Sequence, residues 1–136
     1  LTAGQTINTI DFGFTQPQAG TGIIGDRVFN DANNNNVEDP GEAGIQGVTV
    51  TLNRPGGLPP LTATTDATGN YSFPNLPPGS YTVTAATPTG FTPTLTQPNP
   101  INVAAGQTIN TVDFGFRQAP AGNGTISGRL FNDADN

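Results

Sequence analysis

Residues 31 to 42, DANNNNVEDPGE, place oxygen-bearing side chains at loop positions 1, 3, 5, 9 and 12. That is the ligand spacing of a twelve-residue calcium loop. A hard cation such as Ca²⁺ takes six to eight oxygens at about 2.3–2.6 Å, and a loop of this length can wrap them around one centre. Asp31, Asn33, Asn35 and Asp39 would supply side-chain oxygens, Val37 its carbonyl, and Glu42 a closing bidentate carboxylate. Position 6, where the chain turns sharply and glycine is usual, holds Asn36. Asparagine visits the left-handed region more readily than other non-glycine residues, so the turn is still expected there. The competing reading is a polar turn, which is what Asn/Asp/Gly/Pro clusters commonly form. Charge weighs against it: of ten carboxylates in the chain, four (Asp31, Glu38, Asp39, Glu42) fall in these twelve residues and would repel without a counter-ion. With no His and no Cys in the chain, oxygen chemistry and Ca²⁺ fit better than a transition metal.

The flanks of the loop show what must hold it. VF before it and GVTVTL after it are β-branched or alternating, without a 3.6-residue period. Position 8, apolar in paired helix-loop-helix hands, is the charged Glu38, so the loop is expected between strands. Across the chain, 18 Gly and 13 Pro punctuate short alternating runs, the pattern of an all-β sandwich or barrel. Strands are expected at 22–30, 47–53, 60–65, 70–74, 80–86, 91–95 and 107–116. Period-two alternation predicts burial of Val48, Val50 and Leu52, Tyr71 with Phe73, Tyr81 with Val83, and Val112 with Phe114 and Phe116. DATGNY at 66–71 and LPPGSY at 76–81 read as turns.

The chain repeats itself. AGQTINTIDFGF at 3–14 recurs as AGQTINTVDFGF at 105–116, and RVFNDANN at 27–34 recurs as RLFNDADN at 129–136. Both pairs are offset by 102 residues, and 22 of 34 aligned positions are identical. The expected organisation is the C-terminal strand of a preceding repeat at 1–18, a complete sandwich at 19–118, and the first strand and partial calcium loop of a following repeat at 119–136. Asp133 and Asp135 would open that second loop. A unit of about a hundred residues is too long for a solenoid turn, so each repeat should be its own domain on a string.

The combination GDRVFNDANNNNVEDPGEAGIQGVTVTL, TTDATGNYSFPNLPPGSYTV and the GF at 90–91 resembles the B-type repeat domains of serine-aspartate repeat surface adhesins, related to the collagen-adhesin B-type fold. The resemblance implies a seven-stranded Ig/transthyretin-like β-sandwich with Ca²⁺ in the loop after its first strand, acting as a stiff extracellular spacer. It assigns the ligand roles to Asp31, Asn33, Asn35, Val37, Asp39 and Glu42, with Asn36 in place of the family's glycine. It also suggests a second, weaker calcium site at Asp66; the simpler expectation is that Asp66 caps its own turn. Some related domains carry a lysine-to-asparagine or lysine-to-aspartate isopeptide bond, which a chain without lysine cannot form.

Composition narrows the function classes. A net charge of −6 with four Arg as the only basic residues argues against nucleic-acid binding. No apolar run is long enough to insert in a membrane as a helix. Without His, Cys or Lys the common general bases and nucleophiles are missing, and no enzyme is expected. Millimolar-affinity calcium loops fill outside cells, which favours an extracellular, cell-surface setting. The leading expectation is a structural repeat of a fibre, filament or adhesin stalk whose partners are neighbouring repeats, with a homopolymeric filament of shared strands as one form of it. The alternative is an adhesive module that grips a host protein or glycan. Asp11 and Asp113 are expected to face solvent, and Asn70 and Asn123 head glycosylation sequons.

Overall fold

The computed structural model describes residues 21–97 and 99–120. The expected parts of the neighbouring repeats at 1–18 and 121–136, with Asp11, Asn123, Asp133 and Asp135, lie outside the described residues. The described residues form nine strands: β1 Gly22–Asn30, β2 Thr49–Asn53, β3 Leu61–Thr64, β4 Asn70–Leu76, β5 Gly79–Ala85, β6 Phe91–Leu95, β7 Ile101–Val103, β8 Thr108–Ile109 and β9 Phe114–Gln118. They build two sheets. One runs β4-β1-β9-β6, with β8 also paired to β1, and the other runs β3-β2-β5-β7.

Alternation decides which side chains lie between the sheets. Val50 and Leu52 of β2, Tyr71 and Phe73 of β4, Tyr81 and Val83 of β5, and Phe114 and Phe116 of β9 are all buried, joined by Ile24 and Val28 of β1. Every residue that period-two burial marked is in this core, including Val48 and Val112. Each large apolar side chain buried this way contributes roughly 1.5–3 kcal/mol. Two polar contacts finish the interior. The Tyr71 hydroxyl donates to the Val112 carbonyl. Thr65 accepts the Val48 N–H at 2.9 Å and donates to the Ile45 carbonyl at 2.6 Å, satisfying backbone groups where Gly47, at φ 79°, turns the chain into β2.

Three details depart from the strand expectations. Residues 107–116 do not form one strand: β8 and β9 flank an interval at 110–113, although both segments run parallel to β1. β7 is a short addition that pairs with the start of β5. β4 extends to Leu76 and passes through Pro74 and through Asn75 at φ 59°.

The seam between β1 and β9 organises the molecule. Val28, Phe29 and Asn30 pair in parallel with Phe114, Gly115 and Phe116. Phe29 is fully buried but on the opposite face from Val28, outside the main core cluster. A side chain at Gly115 would press on the Phe29 ring, with a Cβ only 3.0 Å from Cζ, so the FGF pattern of β9 sends two phenylalanines inward and leaves space outward. The chain returning from the acidic loop bridges Phe29 through Gly44, and the Asn30 N–H donates to the Ala43 carbonyl at 2.8 Å.

Candidate metal centre

β1 ends at Asn30, and the next residue begins the acidic loop while still belonging to the seam. The Asp31 N–H donates to the Phe116 carbonyl at 3.0 Å. Its carboxylate is fully buried and gathers the loop around itself: Oδ1 accepts the Asn35 N–H and Oδ2 the Asn36 N–H, each at 3.0 Å. Burial opposes ionisation here. The Thr94 hydroxyl and the backbone N–H groups of Asn36, Asn35 and Asn34 outweigh it and hold the carboxyl below its ordinary value. Thr94 Oγ1 is buried beside it and meets no partner at hydrogen-bonding geometry.

The asparagine run folds by the mechanism its side chains favour. Asn33 Oδ1 accepts the Asn35 N–H at 3.0 Å and Asn35 Oδ1 accepts the Val37 N–H at 2.9 Å, two consecutive Asx turns. Asn34 and Asn36 take φ 61° and 64°, so the left-handed turn expected at Asn36 is present. The carboxamides of Asn33 and Asn35 both reach Asp39 Oδ2, at 2.7 and 2.6 Å. Glu42 closes the loop from the far side, its two oxygens accepting the N–H of Ala32 at 2.9 Å and of Asp39 at 3.2 Å. Asp31, Asn33, Asn35, Asp39 and Glu42 are thus joined in one hydrogen-bonded ring. Val37 is exposed.

The donor chemistry of this ring fits an oxygen-seeking cation. Among the described residues no three His, Cys, Asp or Glu side chains gather closely enough to hold a metal by themselves, so the donor set is mixed carboxylate and carboxamide. Asn33 and Asn35 direct amide N–H groups at Asp39. A cation in that place would need each carboxamide to present its oxygen instead, a choice between two nearly isosteric orientations.

Sequence reasoning missed Arg27, which anchors the loop. Its guanidinium forms an ion pair with Glu38, Nη2 donates to the Glu42 carbonyl at 3.1 Å, and Nε donates to the Thr68 carbonyl at 2.8 Å. The available signal was its repetition at Arg129, since these are two of only four basic residues. Asp66 lies in the neighbouring turn, where Oδ1 accepts the Thr68 hydroxyl and N–H, each at 2.8 Å, and the Asn70 N–H at 2.9 Å. Those bonds, the Thr68 hydroxyl first, hold its carboxyl below the usual value. The capping role expected of Asp66 is therefore present. Asp113 corrects an expectation: it is half-buried rather than turned to solvent, its carboxyl lying against β1, where Oδ1 accepts the Arg27 N–H at 3.4 Å.

Comparison with known proteins agrees with the resemblance read from the sequence. The family model described as SdrD B-like domain matches residues 22–102. The chain is similar to serine-aspartate repeat-containing protein F of Staphylococcus epidermidis, with 42% identity over 128 residues that cover 94% of this chain and 6% of the relative. It is also similar to serine-aspartate repeat-containing protein D of Staphylococcus aureus strain Newman, with 47% identity over 87 residues, 64% of this chain and 6% of the relative. The chain thus corresponds to a small part of the length of these relatives. On the match over residues 22–102, the chain belongs to the SdrD B-like domain family, whose members are structural or adhesive, non-enzymatic repeats of cell-surface proteins.

Proposed function

We propose that the domain is a calcium-stiffened spacer of an extracellular stalk or fibre, with Ca²⁺ held by Asp31, Asn33, Asn35, Asp39 and Glu42 and by the Val37 carbonyl. The observation that carries this reading is the Asp31 N–H to Phe116 carbonyl bond, which makes the first ligand residue part of the ladder joining first strand to last. Ca²⁺ would supply positive charge to a loop that concentrates four carboxylates and would fix the ring in one geometry.

Parallel pairing of β1 and β9 gives the brace a mechanical sense. The chain enters at the start of β1 and leaves at the end of β9, at opposite ends of the same seam. Tension along a string of repeats therefore pulls the two strands past each other, and their hydrogen bonds must fail together rather than one by one. A loop pinned to the end of β1 reinforces that ladder. No catalytic group is needed, and the neighbouring repeats are the partners.

The test is thermal unfolding of the whole 136-residue chain in millimolar calcium and in chelator, alongside an Asp31→Ala, Glu42→Ala double variant. A site filled a hundredfold above its dissociation constant stabilises the fold by about 2.7 kcal/mol. At roughly 4–8 °C per kcal/mol for a domain of this size, the calcium-dependent rise in melting temperature would be about 10 °C or more, and the double variant should lose it. Equal melting in calcium and chelator would reduce the loop to a polar turn.

A further inference from the structure

A second carboxyl arrangement sits on the same seam, away from the loop. Asp26 falls on the inward-facing side of β1, between the fully buried Ile24 and Val28. Opposite it, Asp113 occupies the interval between β8 and β9, where the ladder is interrupted. Asp113 Oδ1 accepts the Arg27 N–H at 3.4 Å, which sets its carboxyl against β1 beside Asp26, and the charge of Asp113 acts on Asp26. Two half-buried carboxyl groups brought together on one seam disfavour double ionisation, and a proton kept by one lets it donate to the other.

The surrounding groups do not relieve the pair of that requirement. From β4, the Tyr71 hydroxyl is committed to the Val112 carbonyl. From the acidic loop, Glu38 adds negative charge. The nearby cation, Arg27, spends its guanidinium on Glu38, the Thr68 carbonyl and the Glu42 carbonyl.

We propose that Asp26 and Asp113 form a proton-sharing latch between the first and last strands, so that the seam closing this domain is tighter in acidic than in neutral or alkaline surroundings. Burial first, and then the charge of Asp113, push Asp26 from 3.8 up to about 7. Burial also raises Asp113. A carboxyl raised on folding takes up a proton that the unfolded chain would release. Its stabilising contribution is complete below about pH 4 and is lost as pH rises through about 7. The effect runs opposite to that of the loop carboxylate Asp31, whose lowered value favours the folded state above the acid range. The latch involves no metal and stands or falls separately from the calcium site.

The experiment is urea unfolding of the full chain at fixed millimolar calcium between about pH 5 and 8.5, for the parent, Asp26→Asn and Asp113→Asn. Asparagine keeps a hydrogen-bond donor and cannot ionise. The folding equilibrium constant of Asp26→Asn relative to the parent's should rise about tenfold or more between about pH 5 and 8.5, as the folded parent loses the shared proton and the variant has none to lose. A ratio that does not change with pH overturns the latch. Carbon-detected carboxyl titration of the parent decides the matter even where a variant folds poorly. A midpoint for Asp26 near 7 supports the latch, and one below about 5 removes it.

Discussion

Asp31 donates its backbone N–H to the carbonyl of Phe116 at 3.0 Å while its side chain organises the acidic loop. One residue is therefore both the last rung of the β1–β9 ladder and the nucleus of the candidate metal centre. Changes in the loop are transmitted to the seam through a single peptide unit, without an intervening flexible segment.

Thr94 tests the outer support of that residue. Its buried hydroxyl stands beside Asp31 and has no hydrogen-bond partner, so Thr94→Val removes that polar neighbour at nearly constant volume. A hydroxyl that hydrogen-bonds a charged group contributes about 1.5–3 kcal/mol. We expect calcium titration calorimetry to show a dissociation constant weakened about tenfold, with the melting transition in chelator still cooperative. Unchanged affinity would mean that Thr94 plays no part in positioning Asp31.

Arg27 joins three segments through one guanidinium: Glu38, the Glu42 carbonyl and the Thr68 carbonyl. Arg27→Ala leaves a partly buried carbonyl at Glu42, an exposed one at Thr68 and the Glu38 carboxylate without it, and should cost about 2 kcal/mol in urea unfolding. Arg27→Lys should recover less than half, because an ammonium cannot reach three acceptors with the geometry of a planar fork. Full rescue by lysine would show that charge alone matters.

Gly44 and Gly69 pack backbone against backbone beneath the loop. A Cβ on Gly69, which sits at φ 86°, would run into the Val28 carbonyl and come within 2.8 Å of Gly44 Cα. Gly69→Ala should therefore destabilise the domain by about 2 kcal/mol or more, measured as a lowered urea midpoint at unchanged slope. Gly90→Ala is the control: φ is 83° but nothing stands within 4 Å of the added carbon, so its cost should be confined to backbone strain of about 1 kcal/mol.

Tyr71→Phe removes only the hydroxyl that donates to the Val112 carbonyl. Stability should fall by about 1–2 kcal/mol, since a buried acceptor loses its partner. Val112 stands just ahead of Asp113, so the variant should also speed amide hydrogen exchange in β9. Protection left unchanged there would show that the interval before β9 is held by other contacts.

Most of the core could be read from period-two alternation, because burial on one face of a strand leaves its mark residue by residue. The loop was legible for a similar reason: the side chains that fold it lie within twelve residues, and Asn36 reports its own left-handed backbone. Long-range relations left no such trace. Nothing in DFGF says that the strand breaks at Asp113, because the break is imposed by parallel registry with β1, from Ile23 with Thr108 to Asn30 with Phe116. The meeting of Asp26 with Asp113, 87 residues on in a chain of 136, depends on the same registry. Arg27 escaped notice because its three partners come from two separate loops.

Parallel neighbours at the two ends of the domain also govern geometry at a larger scale. A fold whose first and last strands ran antiparallel would return the chain to the side it came from, and successive copies would crowd into a cluster. Here the chain enters at the start of β1 and leaves at the end of β9, at the far end of the same seam. On the spacer reading proposed above, copy number would become a ruler: each 102-residue unit would add one fixed increment of reach without redesigning a single contact inside the domain.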